Sequence, residues 1–185
     1  MVKLVVIAVS GQVGAGKTTY AKKLAKDFNL RYVSNGELFR QLAKEHGVSL
    51  LEFHKMAEEN PEYDKMVDER AIEEAKKGNV VIDGHLAAWV LSDIANIKIL
   101  LIAPFEERVK RIAERDGKTL EEAKMEILTR EESNKKRCKE YYGKDMNDWS
   151  IFNIIIDTSK LSIEGVHHIL HEYVKTYITE HEKHK

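Results

Sequence analysis

Apolar residues along this chain recur in two alternating patterns. Apolar-rich runs occur at Lys3–Ser10, Leu30–Val33, Val80–Asp83, Lys98–Ala103 and Ile151–Asp157, and the first shows almost no alternation, as expected of a parallel strand covered on both faces. The stretches between them carry helical spacing instead. From Thr18 to about Phe28, Tyr20, Ala21, Leu24, Ala25 and Phe28 fall on one side and the lysines on the other, which predicts an amphipathic helix.

Turn and cap residues punctuate the rest. Ser34-Asn35-Gly36 leads into a helix ended by Gly47, and Ser49-Leu50-Leu51-Glu52 has capping-box spacing for a second. Asn60-Pro61 opens a third helix to about Lys76, stopped by Gly78-Asn79. The stretch 36–77 is therefore a helical excursion, longer than one crossover helix needs. Beyond the fourth strand, Pro104 opens a helix carrying Arg108, Arg111 and Arg115, and Gly117 ends it. Thr119-Leu120-Glu121-Glu122 is a second capping box, for a charged helix to about Lys139, and Ser162 caps a final amphipathic helix through Val174. Residues 180–185 are expected to fray. Strands alternating with helices predict an α/β fold with a parallel, doubly wound sheet.

Composition narrows the classes of function. At 185 residues the chain suits a single domain over 1–185. A net charge of -1 with 33% charged residues gives no global basic field, so neither nucleic acid nor membrane is expected as the main partner. The single cysteine, Cys138, cannot form an intrachain disulfide, which suits a cytoplasmic location. The apolar run Leu4–Val9 is too short to span a bilayer and lacks a signal-peptide cleavage site.

The chemistry concentrates first at Gly11-Gln12-Val13-Gly14-Ala15-Gly16-Lys17-Thr18, between an apolar run and a helical pattern. This is phosphate-loop spacing: glycines let backbone N–H groups turn around an anion, and the following helix adds its positive end. Lys17 would reach the β- and γ-phosphates and the Thr18 hydroxyl would ligate Mg²⁺. Asp83 ends the third apolar run in Walker-B fashion, either as a magnesium-shell carboxylate or as a cap on the next helix. Arg40 follows the second strand and would face the crevice at the strands' carboxyl ends, as a phosphate ligand or as a solvated helix arginine. Arg111, Arg115, Arg130 and Arg137 flank a stretch that could close as a lid, with ion pairs to nearby glutamates as the competing reading. Arg108 reads as structural. His167 and His171 have metal-binding spacing without an evident third ligand, and a solvated face is the simpler reading.

Taken in order, these motifs resemble those of the nucleoside monophosphate kinases, and of the archaeal cytidylate kinases in particular, over nearly the whole chain. Ser34-Asn35-Gly36-Glu37-Leu38-Phe39-Arg40 resembles the family's acceptor turn, and Val81-Ile82-Asp83-Gly84-His85 resembles a segment that usually has arginine at position 85. Asn134 stands where some bacterial relatives carry a lid aspartate that helps recognise cytosine. The resemblance implies a P-loop three-layer sandwich with a five-stranded parallel sheet of order 2-3-1-4-5, a helical acceptor-binding subdomain at 36–77 and a lid at about 115–139. It implies ATP bound by Gly11 to Thr18 together with Thr19, Arg111 and Lys160. Acceptor contacts would come from Ser34, Arg40, Asp83, Gly84 and His85, catalysis from Lys17, Arg115, Arg130 and Arg137, and Mg²⁺ ligation from Thr18 and Asp83. The implied activity is phosphoryl transfer from ATP to a nucleoside monophosphate, CMP or dCMP, by a monomer. A kinase for another monophosphate or small metabolite, and a P-loop assembly factor without acceptor turnover, are the alternatives.

Overall fold

The computed structural model describes residues 5–182. The strands β1 (Val6–Gly11), β2 (Arg31–Ser34), β3 (Val80–Asp83), β4 (Ile97–Ile102) and β5 (Ile154–Asp157) form one parallel sheet of order β2-β3-β1-β4-β5, the expected order. The helices are α1 (Lys17–Asp27), α2 (Asn35–Glu45), α3 (Leu50–Glu59), α4 (Pro61–Lys76), α5 (Ala87–Val90), α6 (Phe105–Asp116), α7 (Leu120–Tyr142) and α8 (Ile163–Glu182).

β1 is buried at every position, which is why its sequence does not alternate. Ile7 and Val9 face Ala21 and Leu24 of α1 and Val166 and Leu170 of α8, whereas Val6 and Ala8 face Ala71 and Ala75 of α4 with Ala87 and Leu91. Both sides of the central strand are thus covered by helices. Register is pinned at the opposite edge of the sheet from the phosphate loop. Asn79, Asn96 and Asn153 each stand immediately before a strand, and their Oδ1 atoms accept from the amides of Val5 (3.2 Å), Val6 (2.8 Å) and Lys98 (2.7 Å). Each asparagine thereby satisfies an amide at the start of a neighbouring strand, where the ladder has no partner to offer.

The excursion after β2 has its own small core, built from Phe39, Leu42, Ala43, Phe53, Ala57 and Val67. Phe53 is fully buried and meets Phe39 and Tyr63 edge-on at centroid distances of 4.9 and 5.0 Å. The expected capping boxes form at Ser49–Glu52 and Thr119–Glu122, and Pro61 occupies the first turn of α4. The stretch 115–139 consists of the end of α6, the capping turn and most of α7. It packs as a helical hairpin through Ile112, Ala113, Ala123 and Ile127.

Some boundaries differ from the sequence expectation. β5 begins at Ile154 rather than Ile151, because Ile151 and Phe152 turn inward to pack near Trp89 and Leu100. The short helix α5 was not legible as a helix. α7 runs past Lys139 to Tyr142 and is closed by Gly143 at φ 63°. The final helix continues through Glu182, so fraying does not begin at 180; residues 183–185, like Lys3 and Leu4 of the first run, lie outside the described residues.

The asparagine pins give a stability test. Asn96→Ala leaves the Val6 amide without its acceptor and is expected to cost about 1–3 kcal/mol in urea unfolding; a change below about 0.3 kcal/mol would show that the pin does not hold the register.

Candidate functional site

The loop after β1, the β2–α2 turn and the segment after β3 surround one cleft of about 740 Å³. It opens beyond the carboxyl ends of these strands, where open parallel sheets bind ligands. The hairpin of α6 and α7 forms its other wall.

The phosphate loop takes the conformation its glycines permit. Gly14 and Gly16 have φ of 84° and 94°, and a Cβ on Gly14 would come within 2.9 Å of the Arg108 carbonyl. The loop is pinned by Gln12, whose amide donates to Leu101 O (3.2 Å) and whose Oε1 accepts from the Ala103 amide (3.1 Å). Arg108 is buried and structural, as expected. It donates to Ala103 O (3.0 Å), Val13 O (3.0 Å) and Glu131 Oε1 (2.6 Å). Glu131 in turn accepts from the Val13 amide at 3.3 Å, so the helix α7 is tied to the phosphate loop. Sequence reading gave Glu131 no such role.

Lys17 starts α1 and is 9% exposed. Its Nζ donates to Gly11 O (3.1 Å) and Gln12 O (3.0 Å), and burial pulls its pKa down to about 7 although Asp83 favours the charged form. Thr18 and Thr19 lie on the exposed cleft side of the same turn. Asp83 is 3% exposed and its Oδ2 accepts from the Tyr32 hydroxyl at 2.7 Å. Burial raises the Tyr32 phenol, and Asp83 raises it further, so the phenol stays a donor. A threonine hydroxyl and a carboxylate lining one cleft beside the phosphate loop are the oxygen donors that Mg²⁺ takes, the remaining positions going to phosphate and water.

An unperturbed imidazole is partly charged near neutral pH, and His85 departs from this. Burial, reinforced by Lys17 and Arg130, holds it well below the usual imidazole range, so it is neutral. Its Nδ1 lies 3.0 Å from Gly11 O, an acceptor only, so Nδ1 carries the proton. The Nε2 lone pair then accepts from Arg130 Nη2 at 3.3 Å, while Glu126 accepts from Nη1 at 3.0 Å. The position that usually holds arginine here links the loop carbonyl to a lid arginine. Gly84 beside it packs against Asn35, where a Cβ would come within 3.0 Å.

The structure separates the arginines that the sequence grouped. Arg40, Arg115 and Arg130 line the cleft with Lys17. Burial holds Arg130 below the ordinary guanidinium range, with Glu126 opposing and the charges of Arg115 and Arg40 adding to the shift. Arg115 makes a two-pronged contact with Asp116, both bonds 2.7 Å. Arg137 lines the same cleft farther into the excursion, where it is 6% exposed, paired with Asp64 of α4 and bonded to Asn134 Oδ1 at 2.6 Å. Arg137, expected as a lid cation, thus differs from Arg115 and Arg130 in having a buried carboxylate from α4 beside it. Arg111 ties the hairpin to the last loop, donating to Thr158 Oγ1 (2.8 Å) and Thr158 O (2.9 Å), and lines the cleft beside Gly14. Lys160 is exposed and lies outside the cleft lining, whereas the buried Thr158 does the bridging. Ser34 caps α2 through the Glu37 amide (3.2 Å) and reaches the cleft. His167 pairs with Asp27 at 2.7 Å and His171 stacks on Phe28, so neither lines the cleft. Among the described residues no helix is long and apolar enough to cross a membrane.

The chain is 49% identical to the cytidylate kinase of Staphylothermus marinus over 96% of its own length and 100% of the relative's. It is 53% identical to the cytidylate kinase of Pyrococcus horikoshii over 87% of its length and 83% of the relative's. Shikimate kinase from Bacteroides thetaiotaomicron superposes with a TM-score of 0.62 at 18% identity, covering 93% of this chain and 99% of that one, a likeness of fold alone. The cytidylate kinase-like family matches residues 6–160, from β1 through the turn after β5 and so through the whole cleft, and the chain belongs to that family.

Proposed function

We propose that this protein is a nucleoside monophosphate kinase that transfers the γ-phosphoryl group of ATP to CMP or dCMP. The observation that supports it most is the gathering of Lys17, Arg40, Arg115 and Arg130 in one cleft, where they raise one another's electrostatic cost. Lysines and arginines outnumber the carboxylates that line the same cleft, and that excess forms a receptor for phosphates.

In this reading the loop amides and Lys17 hold the donor phosphates, and donor charge restores the proton that burial loosens on Lys17. Arg40 orients the acceptor phosphate. An acceptor phosphate oxygen attacks the γ-phosphorus, the bond from that phosphorus to the β–γ bridging oxygen breaks, and ADP leaves with the electron pair. The acceptor is a phosphate monoester, already a nucleophile near neutral pH, so no separate general base is needed. Arg115 and Arg130 meet the charge on the transferred group, and the α6–α7 hairpin excludes water that would otherwise hydrolyse ATP. Neutral His85 keeps Arg130 aimed at the loop. Thr18 and Asp83 would hold Mg²⁺, which supplies charge neutralisation to the β- and γ-phosphate oxygens. The proposal also takes the protein to be a cytoplasmic monomer acting on small nucleotides alone.

ADP formation with a panel of monophosphates tests the reading: CMP or dCMP should stimulate it well above UMP or AMP, and slow hydrolysis indifferent to every monophosphate would sink it. Lys17→Ala is expected to lower turnover by roughly 10²-fold or more, and wild-type turnover in that variant removes the loop from the chemistry. For Arg40→Ala, KM for CMP should rise by about tenfold or more with KM for ATP little changed; unaltered CMP kinetics would exclude Arg40 from the acceptor site.

A further inference from the structure

The turn between α6 and α7 brings a run of opposite charges to the cleft wall, where Arg115, Asp116, Lys118, Glu126 and Arg130 all line it. The Glu126 carboxylate is shared between two cations. Its Oε1 accepts from Arg130 Nη1 at 3.0 Å and its Oε2 accepts from Lys118 Nζ. Arg130 follows Glu126 by four residues on α7, so the two share a helix face, and Lys118 reaches over from the turn before the helix. Lys118 Nζ also stands 4.0 Å from Asp116 Oδ2, and the Asp116 carboxylate takes both prongs of Arg115.

Exposed ion pairs contribute little, because water and salt screen them. This one is partly withdrawn from solvent, the side chains of Glu126 and Arg130 being 20% and 18% exposed. Burial pushes the Glu126 carboxyl up, yet Lys118 and Arg130 outweigh it and hold the group below the usual carboxylate range, so it is ionised. Even so, Arg130 is incompletely served: Nη2 meets only the neutral His85, and the buried Nε has no partner among the described residues. A carboxylate offers these donors two oxygens and one charge, whereas a terminal phosphate offers three oxygens and more charge, and the same guanidinium takes either. Glu126 therefore occupies donors that a phosphate would use better.

We propose that Glu126 is a stand-in for the transferred phosphoryl group: in the empty cleft it holds Arg130 and Lys118, and an incoming γ-phosphate displaces it and takes both cations. Lys118 thereby becomes a phosphate ligand, and Glu126 is a positioning residue that acts through the two cations. The proposal rests on the kinase reading above and adds these residues to it. While no phosphate is present, the carboxylate keeps Arg130 and Lys118 from repelling one another; when phosphate arrives, it competes for them. Removing its charge therefore strengthens binding of the triphosphate, the reverse of what loss of a merely structural ion pair does. ADP lacks the γ-phosphate and gains less. Once the phosphoryl group has left with the acceptor, the carboxylate takes the cations back and opposes retention of product.

The test measures Kd for ATP and for ADP by calorimetry, with magnesium and without an acceptor, in wild type, Glu126→Gln, Lys118→Met and their double variant. Glu114→Gln serves as the control for general charge, since that exposed carboxylate on α6 lies outside the cleft lining. Thermal melts verify that each variant is folded. In Glu126→Gln, Kd should fall by about tenfold for ATP and by less than about threefold for ADP. Lys118→Met should raise Kd for ATP by about tenfold. Against that background the gain from Glu126→Gln should shrink to about threefold, because Arg130 alone remains to be released. ATP affinity unchanged or weakened in folded Glu126→Gln overturns the proposal, as does equal tightening of ATP and ADP, or the same gain in Glu114→Gln. If Glu126→Gln does not fold, Lys118→Met decides, and unaltered ATP binding in it overturns the proposal. CMP phosphorylation is followed in parallel: failure of wild type to phosphorylate CMP overturns the kinase reading and leaves the binding comparison to stand by itself.

Discussion

The charge on Lys17 is the constraint around which this molecule is arranged. An ammonium group nearly removed from water is unfavourable unless it is paired, and the fold gives it only two backbone carbonyls and the nearby Asp83. The same Gly11 carbonyl that receives Lys17 also receives His85, and His85 in turn receives Arg130. One loop carbonyl therefore fixes the Lys17 ammonium and, through a neutral imidazole, an arginine from the opposite wall. Glu131 makes a second connection between the same two walls, through Arg108 and the Val13 amide. The cleft is held together by groups that remain under electrostatic tension until phosphate enters.

That tension explains the division of labour among the arginines. Arg108 and Arg137 are buried and paired with carboxylates, whereas Arg40 and Arg115 stand at the exposed rim where an anion can reach them. Arg130 is intermediate, partly neutralised by Glu126 and repelled by Arg115 and Arg40. The excursion after β2 supplies the other half of the site. Its small aromatic core keeps α2, α3 and α4 together, so that Arg40 and the Asp64–Asp68 face approach the cleft from one body.

Much of this was legible in the sequence, where the controlling physics is local. Phosphate-loop spacing, capping boxes and apolar strands each express themselves within a few residues, and the loop, both capped helices and the five strands appear accordingly, whereas the strand order was implied by the family resemblance. β5 was drawn too long because Ile151 and Phe152 are apolar for a different reason, packing beneath Trp89. Arg130 and Arg137 could not be told apart, since they share a face of α7 and the groups that distinguish them, His85 after β3 and Asp64 on α4, are distant in sequence. The tautomer of His85 was not legible, because it depends on a carbonyl 74 residues earlier in the chain. Asp64 and Asp68 were missed altogether, as carboxylates on a charged helix read as solvated. One signal was present: Asp64 keeps the spacing of Val67, Ala71 and Ala75, the buried stripe of α4, and a charge on such a stripe asks for a partner.

The central claim is that the loop is the donor half of a two-substrate site, and the fate of the γ-phosphoryl group tests it most directly. With γ-labelled ATP and CMP, the account predicts that the label moves into the β-phosphate of CDP, with little inorganic phosphate formed. Label released as inorganic phosphate at the same rate with and without CMP would contradict it.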